Sequence, residues 1–75
     1  MEHDTAAAQQ REIHELDGAL AALATLQEKL ELRLNEARDE GAREVLDNVI
    51  ALVGAYTSEY RHRKRELESA TGATQ

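Results

Sequence analysis

The chain has 75 residues, a formal net charge of −6, no cysteine and no proline, and its only aromatic residues are two tyrosines. One domain at most fits this length, and such a small domain usually needs a staple such as a disulfide, a metal or a partner chain. The absence of cysteine excludes disulfides and thiolate metal sites, so association with another chain is the expected source of additional stability. Strong helix formers dominate the composition, which predicts an all-α protein.

The first half of the chain carries apolar residues at alternating spacings of three and four, the period of a helix that packs along one stripe. We expect this helix over about residues 6–38. Its stripe, the first seam, consists of Ile13, Leu16, Leu20, Leu23, Gln27, Leu30, Leu34 and Ala37. Ala19 and Leu26 widen the stripe, which favours a bundle over a simple coiled coil. Gln27 is its one polar member, and such a residue often fixes register or partner number.

The second half repeats the pattern in a different phase, which predicts a second helix over about residues 42–69. Its stripe, the second seam, consists of Ala42, Leu46, Val49, Val53, Tyr56, Tyr60, Arg63 and Leu67. Val45 and Leu52 flank this seam on one side and Ile50 on the other. The second face is therefore as broad as the first.

The change of phase predicts a turn near residue 40. Continuing the first seam would reach Gly41, Glu44 and Asn48, none of them large and apolar. Gly41 is expected to end the first helix in the left-handed conformation, so that two similar helices form an antiparallel hairpin with loose ends at 1–5 and 70–75. The alternative is one long continuous coiled-coil helix in which a four-residue insertion restores the phase.

The distribution of charge favours the hairpin. Residues 1–40 contain ten acidic and four basic residues, whereas residues 41–75 contain five of each. Folding about residue 40 brings the acidic start of the first helix beside the basic end of the second. We expect Glu12, Glu15 and Asp17 to lie near Arg61, Arg63, Lys64 and Arg65.

The seams and their flanking residues form faces too wide for one hairpin to cover, which predicts self-association into a homodimeric four-helix bundle. The predicted oligomer core consists of Ile13, Leu16, Leu20, Leu23, Leu26, Gln27, Leu30, Leu34, Val45, Leu46, Val49, Leu52, Val53, Tyr56 and Tyr60. A tetramer or a long coiled-coil dimer would satisfy the same pattern.

The functional expectation is a small, non-enzymatic protein-interaction module: an adaptor, regulator or assembly factor with no cofactor. The sequence contains no recognisable nucleophile and base pattern and no glycine-rich phosphate loop. Leu32 is the one large apolar residue expected to face water, so it is the first candidate contact for a partner protein. No apolar run approaches the ~18 residues of a membrane span, and no signal-like segment opens the chain, so a cytoplasmic location is expected.

Two alternative functions rest on short motifs. The basic cluster Arg61-His62-Arg63-Lys64-Arg65 could contact phosphates of a nucleic acid, with Arg61, Arg63 and Arg65 as candidate contacts, although the acidic total and the flanking glutamates oppose this. Glu59 and His62 form a Glu-x-x-His motif of the kind that carboxylate-bridged metal bundles use. The heptad phase points His62 to solvent, so an exposed charged face is the stronger expectation there.

Overall fold

The computed structural model describes the backbone of residues 2–73 and the side chains of residues 5–70. Helix α1 spans Glu2–Glu36 and helix α2 spans Glu40–Ala73. The two helices pack side by side into an elongated hairpin with extents of 56 × 16 × 15 Å. The predicted all-α antiparallel hairpin is confirmed, and the alternative of one continuous helix is wrong. Both helices are longer than predicted, because they take in residues 2–5 and 70–73 of the segments expected to be loose.

Three residues, Ala37 to Asp39, make the turn. The amide of Ala37 donates to the carbonyl oxygens of Arg33 (2.9 Å) and Leu34 (3.3 Å), which closes the last turn of α1. Asp39 then caps α2, because its Oδ2 accepts a hydrogen bond of 2.9 Å from the amide of Ala42. An aspartate at this position satisfies one of the amides that a helix leaves unpaired at its N-terminus.

Arg43 ties the two helices together at the turn. Its Nη1 donates to the carbonyl oxygens of Leu34 and Ala37, each at 3.1 Å. The Leu34 carbonyl otherwise accepts only the 3.3 Å bond from the Ala37 amide, and the Ala37 carbonyl lies just beyond α1, where the helix offers no further amides. A side chain from the first turn of α2 therefore caps the end of α1.

The predicted role of Gly41 is wrong. Among the described residues no glycine has a positive φ, and Gly41 lies inside the first turn of α2. The physical reason is that Asp39 and Arg43 together supply the hydrogen bonds that a left-handed glycine would otherwise have provided. The turn therefore comes earlier in the chain than the position of Gly41 suggested.

The first seam lies against α2 as predicted. Each of its eight members, from Ile13 to Ala37, is half-buried, and α2 is the other helix of the described chain. The face of α2 that meets them consists of Leu46, Ile50, Val53, Thr57, Tyr60, Lys64 and Leu67. Val53 and Leu67 are the buried apolar residues of the described chain, 5% and 4% exposed. Thr57 satisfies its hydroxyl inside this face by donating to the carbonyl of Val53 at 2.9 Å.

The second seam is wrong at four of its eight positions: Ala42 is exposed at the start of α2, and three alternate positions farther along differ as well. Val49, Tyr56 and Arg63 are exposed, and Ile50, Thr57 and Lys64 take their places against α1. Leu46, Val53, Tyr60 and Leu67 belong to both arrangements, so α2 is only slightly rotated from the predicted orientation. The rotation keeps the Arg63 guanidinium out of the apolar contact, where an unpaired cation would be costly.

We predict that Asp39→Ala destabilises the hairpin by about 1 kcal/mol, because it removes the N-cap of α2. Asp39→Asn is the matched control, since an asparagine oxygen accepts the same bond and is an equally good cap. The measurement is the free energy of unfolding from urea denaturation at one fixed protein concentration. Equal stability of the alanine and asparagine variants would contradict the assigned cap.

Candidate interaction surface

Much of the apolar surface of the hairpin is left uncovered. Large apolar side chains that remain exposed are Leu26 (44%), Leu32 (59%), Val45 (61%), Val49 (36%), Leu52 (55%) and Tyr56 (45%). Single exposed leucines are ordinary on protein surfaces, but a contiguous group marks an interaction site. The arrangement of these six residues therefore decides whether the hairpin has such a site.

Four of the six form a row on α2. Val45, Val49, Leu52 and Tyr56 are separated by four, three and four residues, so they share one helix face. The Tyr56 ring also packs against the Tyr60 ring, with centroids 6.2 Å apart and planes tilted by 42°. This row lies beside the buried contact with α1. The rotation of α2 has moved Val49 and Tyr56 out of that contact and into the row.

Leu26 of α1 lies on the same side of the hairpin. A shallow groove next to the turn is lined by Arg33 and Val45, which places these two residues on one side. Leu26 precedes Arg33 by seven residues and Leu52 follows Val45 by seven, so both stay on that side two turns farther along. We call the surface formed by Leu26, Val45, Val49, Leu52 and Tyr56 the apolar flank.

Ion pairs border the contact between the helices at its open end. Arg63 donates to Glu12 through Nε at 2.9 Å and Nη2 at 3.3 Å, and Lys64 Nζ lies 2.5 Å from Asp17 Oδ1. Glu12 precedes and Asp17 follows a member of the first seam, so the two pairs lie on opposite sides of the hairpin. The Glu12–Arg63 pair is on the side of the apolar flank. The expected pairing of the acidic start with the basic end is confirmed for these four residues.

These contacts shift the pKa values of the groups involved. The hydrogen bond from Arg63 lowers the pKa of Glu12 below the usual 4.5; partial loss of solvent opposes this shift, and the positive charge of Arg63 adds to it. The hydrogen bond with Asp17 raises the pKa of Lys64 above 10.5. Glu12 and Lys64 are therefore both charged at neutral pH.

The basic cluster is divided by the fold. Arg63 and Lys64 are held by carboxylates of α1, whereas Arg61 and Arg65 are exposed and form no ion pair within residues 5–70. The proposed nucleic-acid surface thus retains two of its four cations in uncompensated form. Steady phosphate contact needs several such charges close together.

The weak metal candidates do not converge with other ligands. Glu59 and His62 are both exposed, and His62 Nε2 lies 3.7 Å from Glu66 Oε2. Within residues 5–70 there is no group of three or more histidine, aspartate or glutamate residues placed to hold a metal ion.

Leu32 lies where the sequence placed it. It is 59% exposed and faces away from α2, on the opposite side of α1 from the first seam.

The residues of the predicted oligomer core divide between two environments. Members of the predicted oligomer core that are buried or half-buried within the hairpin are Ile13, Leu16, Leu20, Leu23, Gln27, Leu30, Leu34, Leu46, Val53 and Tyr60, and the others form the apolar flank.

No protein-family model, curated protein or solved structure significantly matches the chain. Over its described residues, neither helix offers an apolar stretch long enough to cross a bilayer. The surface itself is therefore the basis for a functional proposal.

We predict that Glu12→Gln lowers stability at neutral pH and has a smaller effect in acid. Because the folded pKa of Glu12 lies below 4.5, its contribution is present above that pH and is lost as the pH falls through the lowered value. The test compares urea midpoints of wild type and variant at pH ~7 and pH ~3. Glu28→Gln is the control, since Glu28 forms no ion pair within residues 5–70. A difference that persists unchanged in acid would contradict the assignment.

Proposed function

We propose that the protein is a non-enzymatic protein-interaction module that acts as a helical homo-oligomer. The observation that carries the proposal is the apolar flank, where Val45, Leu52 and Tyr56 are each about half exposed or more. Water contact at these side chains costs about 25 cal/mol per Å² of apolar surface relative to burial. Covering the flank with another helical surface removes that cost.

The small interior of the hairpin supports the same proposal. Val53 and Leu67 are the apolar residues that the described chain buries, and cysteine is absent. Chains of this size normally gain stability from a disulfide, a metal or association. A homodimeric four-helix bundle supplies a shared apolar interior from the flanks of two hairpins.

Within this proposal the protein is an adaptor, regulator or assembly factor whose activity is binding, with no catalytic step and no cofactor. Self-association uses the apolar flank and leaves the outer face of α1 available. Leu32 on that outer face is the proposed contact for a different protein partner. The proposed compartment is the cytoplasm, in keeping with the composition of the chain.

We predict that the purified protein has twice the 8.3 kDa mass of one chain in size-exclusion chromatography with light scattering. Leu52→Glu should convert it to a monomer, because it places a charge within the apolar flank. Leu32→Glu is the matched control, since Leu32 is equally exposed but lies on the outer face of α1. It should leave the oligomer intact.

A wild-type protein that is monomeric at micromolar concentration would contradict the proposal. Dissociation by Leu32→Glu with no effect of Leu52→Glu would contradict the choice of flank. Circular dichroism on each variant separates loss of association from loss of helix.

We predict that a tagged wild-type chain retains a stoichiometric protein partner from native lysate after nuclease treatment, and that Leu32→Glu loses it. The partner is identified by mass spectrometry. Retention of the same partner by Leu32→Glu would show that Leu32 is not the contact. Loss of all captured protein on nuclease treatment would instead favour contact with nucleic acid through Arg61 and Arg65.

A further inference from the structure

A second periodic row runs along α1, next to the first seam and on the side of the apolar flank. It consists of Glu12, Glu15, Ala19, Ala22, Leu26, Lys29 and Arg33, with spacings of three and four throughout. Two of its members are placed by contacts: Glu12 bonds Arg63, and Arg33 lines the groove with Val45. Helical periodicity puts the others on the same face.

The chemistry of this row changes along its length. The end near the open side of the hairpin is acidic, the middle is small and apolar, and the end near the turn is basic. Reversing the row about Ala22 places Glu12 opposite Arg33, Glu15 opposite Lys29, and Ala19 opposite Leu26. The row is therefore complementary to an antiparallel copy of itself in both charge and size.

We propose that the flank carrying this row binds a second copy of the chain in antiparallel orientation, with the two-fold axis passing beside Ala22. This inference rests on the proposed function and specifies its interface. Each α1 packs against the partner's α1, and the partner's Arg33 and Lys29 lie over Glu12 and Glu15. The isologous arrangement forms each ion pair twice.

The size of the face supports this register. The ion pairs Glu12–Arg63 and Asp17–Lys64 set Ala22 level with about Tyr56, which is near the middle of both helices. An axis at this level lets the hairpins overlap along their whole length. The hairpin is 56 Å long, so the two copies share an extended face.

The antiparallel orientation suits the cations of α1 better than a parallel one, whereas on α2 the same axis sets Arg63 opposite the partner's Val49. In a parallel dimer α1 faces the partner's α2, so Arg33 and Lys29 would lie opposite Val45 and Val49. Cations over apolar side chains lose water without gaining a carboxylate. In the antiparallel dimer both cations meet glutamates, and Tyr56 lies near the axis.

Single-cysteine variants test the geometry directly, because the chain has no native cysteine. Ala22→Cys should form a disulfide-linked dimer under mild oxidation, since the two copies of residue 22 meet at the axis. Ala24→Cys is the matched control: Ala24 is also an exposed alanine of α1 but lies on the opposite side of the hairpin. We expect at least a tenfold faster cross-link at residue 22.

A charge-reversal cycle provides the second test. Neither Lys29 nor Glu15 forms an ion pair within residues 5–70, so their exchange leaves the hairpin itself unaltered. Lys29→Glu should weaken the dimer about tenfold, because two attractive pairs become repulsive. Adding Glu15→Lys to the same chain should restore the wild-type dissociation constant. Analytical ultracentrifugation measures both.

Failure of this inference differs from failure of the proposed function. A wild-type dimer in which residues 22 and 24 cross-link equally, or in which Glu15→Lys does not restore Lys29→Glu, would overturn the antiparallel interface and leave self-association standing. A wild-type monomer would overturn both. Faster cross-linking at residue 22 together with restoration by the double variant supports the interface.

Discussion

Two helices packed side by side cover only one stripe of each other, and this geometric constraint shapes the whole surface of the protein. The first seam meets α2 along its entire length, yet all eight of its members stay half-buried. Val53 and Leu67 are the buried apolar side chains of residues 5–70. The contact line tolerates Thr57 and Lys64 because solvent reaches both edges, and each polar group finds a partner there. Apolar surface outside this stripe therefore stays exposed to solvent unless another chain covers it.

The turn decides which stripe is used. An uninterrupted helix would satisfy the backbone of residues 34–43 by itself, so the hairpin needs replacements for those hydrogen bonds. Asp39 supplies an acceptor for the start of α2, and Arg43 supplies donors for the end of α1. Both groups are exposed, so the interactions are individually modest. These modest hydrogen bonds are enough to form the turn. Once the chain has reversed, the two seams pack against each other and stabilise the hairpin.

The sequence predicted the fold class and the contact face of α1 but not the rotation of α2. Leucine or isoleucine at six of the eight a and d positions, from Ile13 to Leu34, left α1 one packing choice. In α2, apolar periodicity alone hardly distinguishes Val49 from Ile50, or Tyr56 from Thr57, as the residue that faces α1. The choice depends on where Arg63 and Lys64 find carboxylates, which is a contact 47 to 51 residues away in the chain. The expected helix-ending role of Gly41 was wrong because an aspartate and an arginine can close a turn as well as a glycine does. The flanking residues Leu26, Val45 and Leu52 were recognised as apolar extensions, but their joint placement needed the fold.

The ion pairs at the open end bear on the order in which the hairpin forms. Arg43 meets its carbonyl partners six and nine residues away, whereas Arg63 meets Glu12 across 51 residues. Closing a short loop costs less entropy than closing a long one, so we expect the chain to reverse at the turn first and the helices to pair progressively toward the termini. The helices would then fray from the open end, where the ion pairs of Glu12 and Asp17 with α2 are the last contacts to form. Backbone amides should accordingly exchange with solvent fastest beyond those pairs and slowest between the turn and Val53, a gradient that native-state hydrogen exchange resolves residue by residue.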